Sequence, residues 1–297
     1  MNYHLDFLKF LIQKGGPNHE DYAELDSWLE ETSDHIKAGK ITQVQRSELL
    51  SILGDAATIE TLQGFVLKKP HGYAGDFEII NKIYIKYTSS QPHLTKWDNY
   101  FHTHTATEAV RNRVGYFSNQ VADAATNSKG DQAQILNVAS GPGRDMLHFF
   151  QNNPDLSEKV QFDCIEQDKN AINFAKNICS AYLDKITFIQ KNALRFTTEK
   201  RYSLIWSAGL FDYFDDKIFV FLLSRLKNML APEGSVVIGN FCATNPSKAY
   251  MSLFEWNLHH RSPNTLRSLA IKAGFSEQHI KVQREPSEVN LFLHVKI

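Results

Sequence analysis

The chain has 297 residues, 42% hydrophobic and 22% charged, and its 32 Lys and Arg against 33 Asp and Glu leave a formal net charge of -1. A chain this apolar buries a real core, which excludes wholesale disorder. The balanced charge offers no electrostatic footprint for nucleic acid or an anionic membrane, and the length suits two domains, or one α/β domain with an extension.

To about residue 130 the chain reads as helical. Leu5, Leu8, Leu11 and Ile12 recur at helical spacing, as do Tyr22, Leu25, Trp28 and Leu29. Asp6 and Lys9 interrupt the first apolar stretch, which spoils it as a signal-peptide core. Residues 41–53 form a third amphipathic segment closed by Gly54, and 59–68 a fourth stopped by Pro70. Residues 105–125 form a longer one, with Ala109, Val110, Val114, Phe117 and Val121 on its apolar side. The polar stretch 126–132 breaks the pattern and marks the expected boundary between a helical domain, 1–128, and a second domain, 129–297.

From Ala133 the texture changes. Strands are expected over 135–139, 160–166, 186–190, 203–207 and 235–241, and helices over 144–151, 169–182, 217–230 and 266–272. Two last strands fit 279–283 and 289–296. Such alternation predicts a mainly parallel sheet with helices on both faces. Two final strands with no helix between them predict an antiparallel hairpin at one edge. The longest apolar runs, 203–211 and 218–223, fall short of the roughly 20 residues of a membrane-spanning helix.

Cys164, Cys179 and Cys242 form an odd set without a C-x-x-C pair, which argues against disulfides or zinc and fits a cytoplasmic location. His102 and His104 lie two apart, a strand-like spacing. His259 and His260 are adjacent and would point apart on a helix, so no metal site is expected.

The sharpest feature is I-L-N-V-A-S-G-P-G-R-D, residues 135–145. An apolar strand runs into a small-residue turn and then a helix. Ala139, Ser140, Gly141 and Gly143 lack bulk, so a ligand can lie against the backbone and face helix N-terminal amides. A tight strand–helix turn in any α/β protein could produce the same string. Glu166 adds to it. It ends the next strand about 25 residues on, where a carboxylate in doubly wound folds accepts hydrogen bonds from ribose hydroxyls. Met146 stands at the third position of G-x-G-x-x-G, which leads away from a dinucleotide.

The turn resembles motif I of the class I S-adenosylmethionine-dependent methyltransferases, and the resemblance runs along the whole C-terminal half. It implies a Rossmann-like sheet, mostly parallel with an antiparallel edge strand, an N-terminal helical cap, and S-adenosylmethionine as cofactor. Ala139, Ser140, Gly141 and Gly143 would line the turn, and Glu166, with Gln167 beside it, would hold the ribose. Asn192 and Ala193 would flank the adenine, Asn replacing the usual Asp. Ser207, Ala208 and Gly209 match the loop after strand four. L-A-P-E-G-S, residues 230–235, resembles an L-x-P-G-G turn, with Glu233 replacing the first glycine.

K-P-H-G-Y-A-G-D-F-E, residues 69–78, is the second unusual string. Gly72 and Gly75 allow tight turns presenting Tyr73 and Asp76, although an ordinary helix–helix loop would look the same. Phe77, Tyr84, Tyr87, Trp97, Tyr100 and Phe101 follow, as core or as the wall of a pocket. Together with A-V-R-N-R (109–113), S-A-G-L-F-D-Y (207–213) and G-N-F (239–241), this string is similar to a subgroup of bacterial methyltransferases that includes the 3-hydroxypalmitic acid methyl ester synthases. The resemblance implies that Tyr73 and Asp76 close over the cofactor. It also implies that Arg111 or Arg113 pairs with a carboxylate of cofactor or substrate, where the alternative is a surface salt bridge.

A carboxylate acceptor needs no general base; for a hydroxyl or amine the candidate bases are Tyr73, Asp212, Tyr213 and His259. Residues 255–261 either line the acceptor pocket or form a plain amphipathic helix. The expected activity is methylation of a small molecule, such as a fatty or hydroxy acid carboxylate. Alternatives are N- or O-methylation of another metabolite, alkylation or cyclisation from the same cofactor, and a non-catalytic binding module. Nucleic-acid substrates are disfavoured by the charge and by Ser207 to Leu210 standing where an N-P-P-Y-like string would follow strand four. The partners expected are a small-molecule substrate and, at most, a second copy in a homodimer.

Overall fold

The computed structural model describes residues 2–128 and 132–297, so positions 129–131 of the expected boundary stretch lie outside the described residues. Helices α1 (Asn2–Gln13), α2 (Tyr22–Lys37), α3 (Gln43–Ile52), α4 (Leu62–Lys68), α5 (Phe77–Tyr84), α6 (Pro92–Thr103) and α7 (Thr105–Asn127) come first. The chain then alternates through β1 (Ala133–Val138), α8 (Arg144–Asn152), β2 (Val160–Glu166), α9 (Lys169–Ile178), β3 (Ile186–Gln190), β4 (Tyr202–Ser207), α10 (Asp216–Lys227) and β5 (Leu230–Phe241). It closes with α11 (Lys248–Leu253), α12 (Pro263–Lys272), β6 (Ile280–Arg284) and β7 (Asn290–Lys296). Two compact units result: Met1–Glu108 with Pro246–Asn257, and Ala109–Asn245 with Leu258–Ile297.

The first unit is helical. Phe7, Leu8 and Leu11 of α1 and Leu25, Trp28 and Leu29 of α2 are buried, as their helical spacing predicts. Phe77, Trp97, Tyr100 and Phe101 are core rather than pocket wall. The His102 Nε2–H donates to the Tyr87 carbonyl at 2.8 Å, and His104 stacks on Tyr250 at 4.0 Å.

The second unit is a seven-stranded sheet in the order β3-β2-β1-β4-β5-β7-β6. β1 to β5 pair in parallel, and β7 lies antiparallel to both β5 and β6, so the terminal hairpin caps one edge as expected. Side chains alternate between two cores, as a pleated strand requires. Ile135, Phe162, Cys164, Leu204, Trp206, Val237 and Phe292 pack with Phe117 and Val121 of α7 and Phe149 and Phe150 of α8. Leu136, Ile165, Ile205, Val236, Ile238 and Leu293 pack on the other face with Phe219 and Leu223 of α10 and Leu266 of α12. Among the described residues no helix is long and apolar enough to cross a membrane.

Three segments differ from the sequence pattern. The helix expected over 169–182 ends at Ile178; Tyr182 leaves the helical region at φ -128° and stacks on Phe150 at 4.5 Å. β5 starts at Leu230, because residues 231–234 bulge out of a strand whose register resumes at Ser235. The exposed Glu233 sits in that bulge at φ 62°, in the left-handed region. An L side chain there costs about 1–2 kcal/mol, part of which glycine returns through its freer unfolded chain. Glu233→Gly is therefore expected to stabilise the protein by about 0.5–1 kcal/mol. Urea unfolding checks this, and a midpoint that falls refutes it. Finally, residues 255–261 are not helical: a hydrogen-bonded turn leads into extended chain, and Arg261 bridges to Cys242 beside β5.

Candidate functional site

The carboxyl ends of β1, β2 and β4 carry the motif residues of the second unit. In open α/β sheets ligands bind beyond these strand ends. β1 ends at Val138, and the turn doubles back at once: the Ala139 and Ser140 amides both donate to the Ile165 carbonyl, at 2.8 and 3.3 Å. Ala139, Gly141 and Gly143 all have positive φ, of 56°, 54° and 72°. A non-glycine residue in this region is strained, and such strain gathers at ligand sites.

The two glycines do different work. A Cβ built on Gly141 meets nothing within 4 Å, so its backbone faces open space. A Cβ on Gly143 would lie 3.0 Å from the Ala175 Cβ and 3.3 Å from the Met146 Cε. Gly143 therefore also lets α8 and α9 pack closely, a role the sequence did not suggest. Met146 is fully buried there, in the place of the third glycine.

Glu166 faces the turn. Its Oε2 accepts from the Gly141 amide at 3.0 Å, and its Oε1 from the Gln167 and Asp168 amides at 2.8 and 3.0 Å. Oε2 thus has a lone pair left beside the open glycine. Burial raises the Glu166 carboxyl above its ordinary pKa, against the pull of the three amides. Asn192 and Gln167 are joined by a 3.0 Å bond from the Asn192 Nδ2 to the Gln167 Oε1, and the Asn192 Oδ1 caps the turn holding Ala193. All three follow β2 or β3 on the same edge.

The loop after β4 completes the edge. Ser207 is spent on the fold: it is fully buried and its hydroxyl donates to the Val138 carbonyl at 3.1 Å. Ala208 offers its carbonyl to the Arg113 Nη1 at 3.1 Å, and Gly209 leaves space for that guanidinium. Arg113, on α7, is buried, and its Nε has no partner among the described residues. The buried Ser140 hydroxyl likewise lacks one. These two orphaned polar atoms suit a charged, hydroxyl-bearing ligand, because a buried polar group left unpaired is costly.

Arg113 also acts on two acids. Asp145 accepts from the Met146 amide at 2.9 Å and the Asn137 Nδ2 at 3.3 Å, and burial raises its pKa to about 6 despite those bonds and Arg113. Asp212 accepts the Phe241 amide at 2.7 Å, and burial raises its pKa to about 7, offset by that bond, Arg113 and Arg261.

Arg261, in the sequence only the end of the 255–261 string, holds the loop after β4 in place. Its guanidinium binds Asp216 and Asn240 side chains and the Phe211 carbonyl, tying the post-β4 loop to β5. Tyr213 and His259 are exposed; the His259 amide donates to the Asp212 carbonyl at 2.7 Å. His260 bonds Asn245 and the Leu258 carbonyl, in extended chain rather than a helix.

Tyr73 and Asp76 belong to the first unit. Gly72 and Gly75 do take positive φ, of 86° and 66°. Asp76 is the N-cap of α5, its Oδ1 accepting from the Glu78 and Ile79 amides at 2.9 and 3.0 Å. Tyr73 is half-buried.

Residues 135–234 match the model of a methyltransferase domain. No curated protein matches the chain. Among solved structures the chain is similar to a possible exported protein from Bordetella parapertussis, with a TM-score of 0.61 and 19% identity over 74% of this chain and 79% of that one. It is similar to a candidate O-methyltransferase from Nostoc punctiforme PCC 73102, at 0.52 and 18% over 82% and 72%. A third likeness is to the S-adenosylmethionine-dependent methyltransferase SibL in its apo form, at 0.53 and 11% over 89% and 76%. At such identities the likeness is one of fold. With the strand order it gives the second unit the class I methyltransferase fold, within which residues 135–234 match a methyltransferase domain.

Proposed function

We propose that the chain methylates a small molecule, and that the acceptor is the carboxylate of a fatty or hydroxy acid. The observation that carries this reading is the open backbone at Gly141 beside the Glu166 carboxylate, with buried Arg113 on the same sheet edge. Glu166 accepts from the ribose, Gly141 gives the cofactor backbone room, and Asn192 and Ala193 flank the adenine. Arg113 directs its unpaired Nε–H toward a carboxylate, which a guanidinium holds well. The neutral overall charge favours a small acceptor. The strings around Tyr73 and after β4, similar to the 3-hydroxypalmitic acid methyl ester synthases, support an acid.

Bound there, S-adenosylmethionine supplies an electrophilic methyl group on a sulfonium, and the protein contributes positioning and exclusion of water. A carboxylate is already anionic near neutral pH, so no residue has to remove a proton. One observation favours a second reading. Asp212, with a pKa of about 7 at this edge, is poised as a general base for a hydroxyl or amine acceptor.

Calorimetry with S-adenosylmethionine and S-adenosylhomocysteine tests the cofactor site, and folded protein that binds neither overturns it. Ester formation from hydroxy acids of graded chain length tests the acceptor. The pH profile separates the readings. A base must be deprotonated, so with Asp212 as base kcat rises with pH through about 7, and Asp212→Asn removes the rise. With a carboxylate acceptor kcat stays flat from about pH 6 to 8 and Asp212→Asn changes it little. Asn still offers an oxygen to the Phe241 amide, so the variant keeps that contact.

A further inference from the structure

We propose that His4, His35 and Glu31 form a binding site for a divalent transition cation of the zinc class, clipping α1 to α2. One ligand atom from each residue, two imidazole nitrogens and one carboxylate oxygen, lies within 4.8 Å of the others. The His4 Nε2 and the His35 Nδ1 are 3.2 Å apart. Tetrahedral zinc with bonds of 2.0–2.1 Å needs its nitrogens about 3.3 Å apart. The pair therefore already stands at chelating distance.

Glu31 and His35 sit four apart on α2 and so share one face. His4 comes from α1, its ring against Trp28 at 6.1 Å and only 2% exposed. The Thr32 Oγ1 lies 2.9 Å from the His4 Nδ1. With Nδ1 protonated and donating to Thr32, Nε2 turns its lone pair toward His35. This is the outer-shell arrangement that orients metal-binding imidazoles.

Two imidazoles with one carboxylate suit zinc better than magnesium or calcium, which take oxygen. Three protein ligands leave a fourth position for water. Glu31 is exposed and His35 half-buried, so an ion can enter from solvent. The site uses only residues of the helical unit and stands apart from the methyltransferase reading.

The test uses the full chain stripped with a chelator, then titrated with zinc against a chromophoric competitor. One equivalent is expected to bind and to raise the melting temperature. Cobalt in its place is expected to give the intense visible bands of a tetrahedral site. His35→Ala and Glu31→Gln should each weaken binding on the order of 100-fold, and Thr32→Val about 10-fold. S-adenosylhomocysteine binding is expected to be the same in Glu31→Gln and the wild type, which shows that variant to be folded. Absence of zinc binding by folded wild-type protein overturns the site. Undiminished binding by the Glu31→Gln, His35→Ala double variant also overturns it, and leaves a His–His hydrogen bond only.

Discussion

Glu166→Gln is expected to weaken binding of S-adenosylhomocysteine by about 10- to 100-fold, the equivalent of losing a hydrogen bond to a charged group, about 1.5–3 kcal/mol. The carboxylate is committed on both oxygens. Oε1 serves two backbone amides, and Oε2 serves the Gly141 amide with capacity left for a ribose hydroxyl. An amide side chain has one oxygen. It will face the pair of amides of Gln167 and Asp168, which turns its NH₂ toward the Gly141 N–H and the sugar. The turn loses one acceptor and the ribose loses its charged one. The pH dependence follows in sign. Burial holds the Glu166 carboxyl above its ordinary range, and protonation makes that acid resemble the amide. Wild-type affinity should fall as pH drops through the raised pKa, while Glu166→Gln stays level over the same interval. Calorimetry across an acidic pH series reads both. Equal affinities for the two proteins would remove Glu166 from the site.

The legible parts of this chain are those where cause and effect lie close in sequence. β2 is visible because Phe162 and Cys164 alternate with Asp163 and Ile165, and the pleat sends Phe162 and Cys164 to one core and Ile165 to the other. The turn at Ser140 and Gly141 is visible because only small residues tolerate its backbone. Asp76 reads in the sequence only as an acid presented by a turn, whereas the structure makes it the N-cap of α5, a local cause the string F-E-I-I-N-K-I-Y already carried.

What was hidden depends on partners far along the chain. Arg261 reads as the end of a string that lines a pocket or forms an amphipathic helix, until folding brings Asp216 and Asn240 to it. His4 and His35 lie 31 residues apart, and only the packing of α1 on α2 makes them neighbours. Gly141 and Gly143 look alike as letters. The Ala175 methyl under one of them, and nothing over the other, is a tertiary fact. Residues 255–261 misled because their charges mimic a helix face, whereas Arg261 must run straight beside β5 for its backbone to meet Phe241 and Ala243.

Gly239→Ala is expected to cost about 3 kcal/mol or more, a decrease of roughly 6–12 °C in melting temperature for a unit of this size. Gly239 lies on β5 opposite Phe292 of β7, where the pleat leaves little space. A Cβ there would stand 2.2 Å from the Ala208 carbonyl oxygen and 3.2 Å from the Asn290 Nδ2. The first contact is with backbone, so no side chain can swing aside. Relief requires the Ala208 peptide to move, and that carbonyl is the acceptor for the Arg113 Nη1. Stability and cofactor affinity should therefore fall together. Gly141 gives the opposite pattern. Its Cβ meets no protein atom, so Gly141→Ala costs only the strain of an L residue at φ 54°, about 1–2 kcal/mol, while placing a methyl where the backbone faces open space. Thermal melts with calorimetry on the two variants separate the glycine that holds the fold from the one that admits the ligand. If Gly141→Ala binds S-adenosylhomocysteine as tightly as the wild type, the cofactor does not lie against that turn.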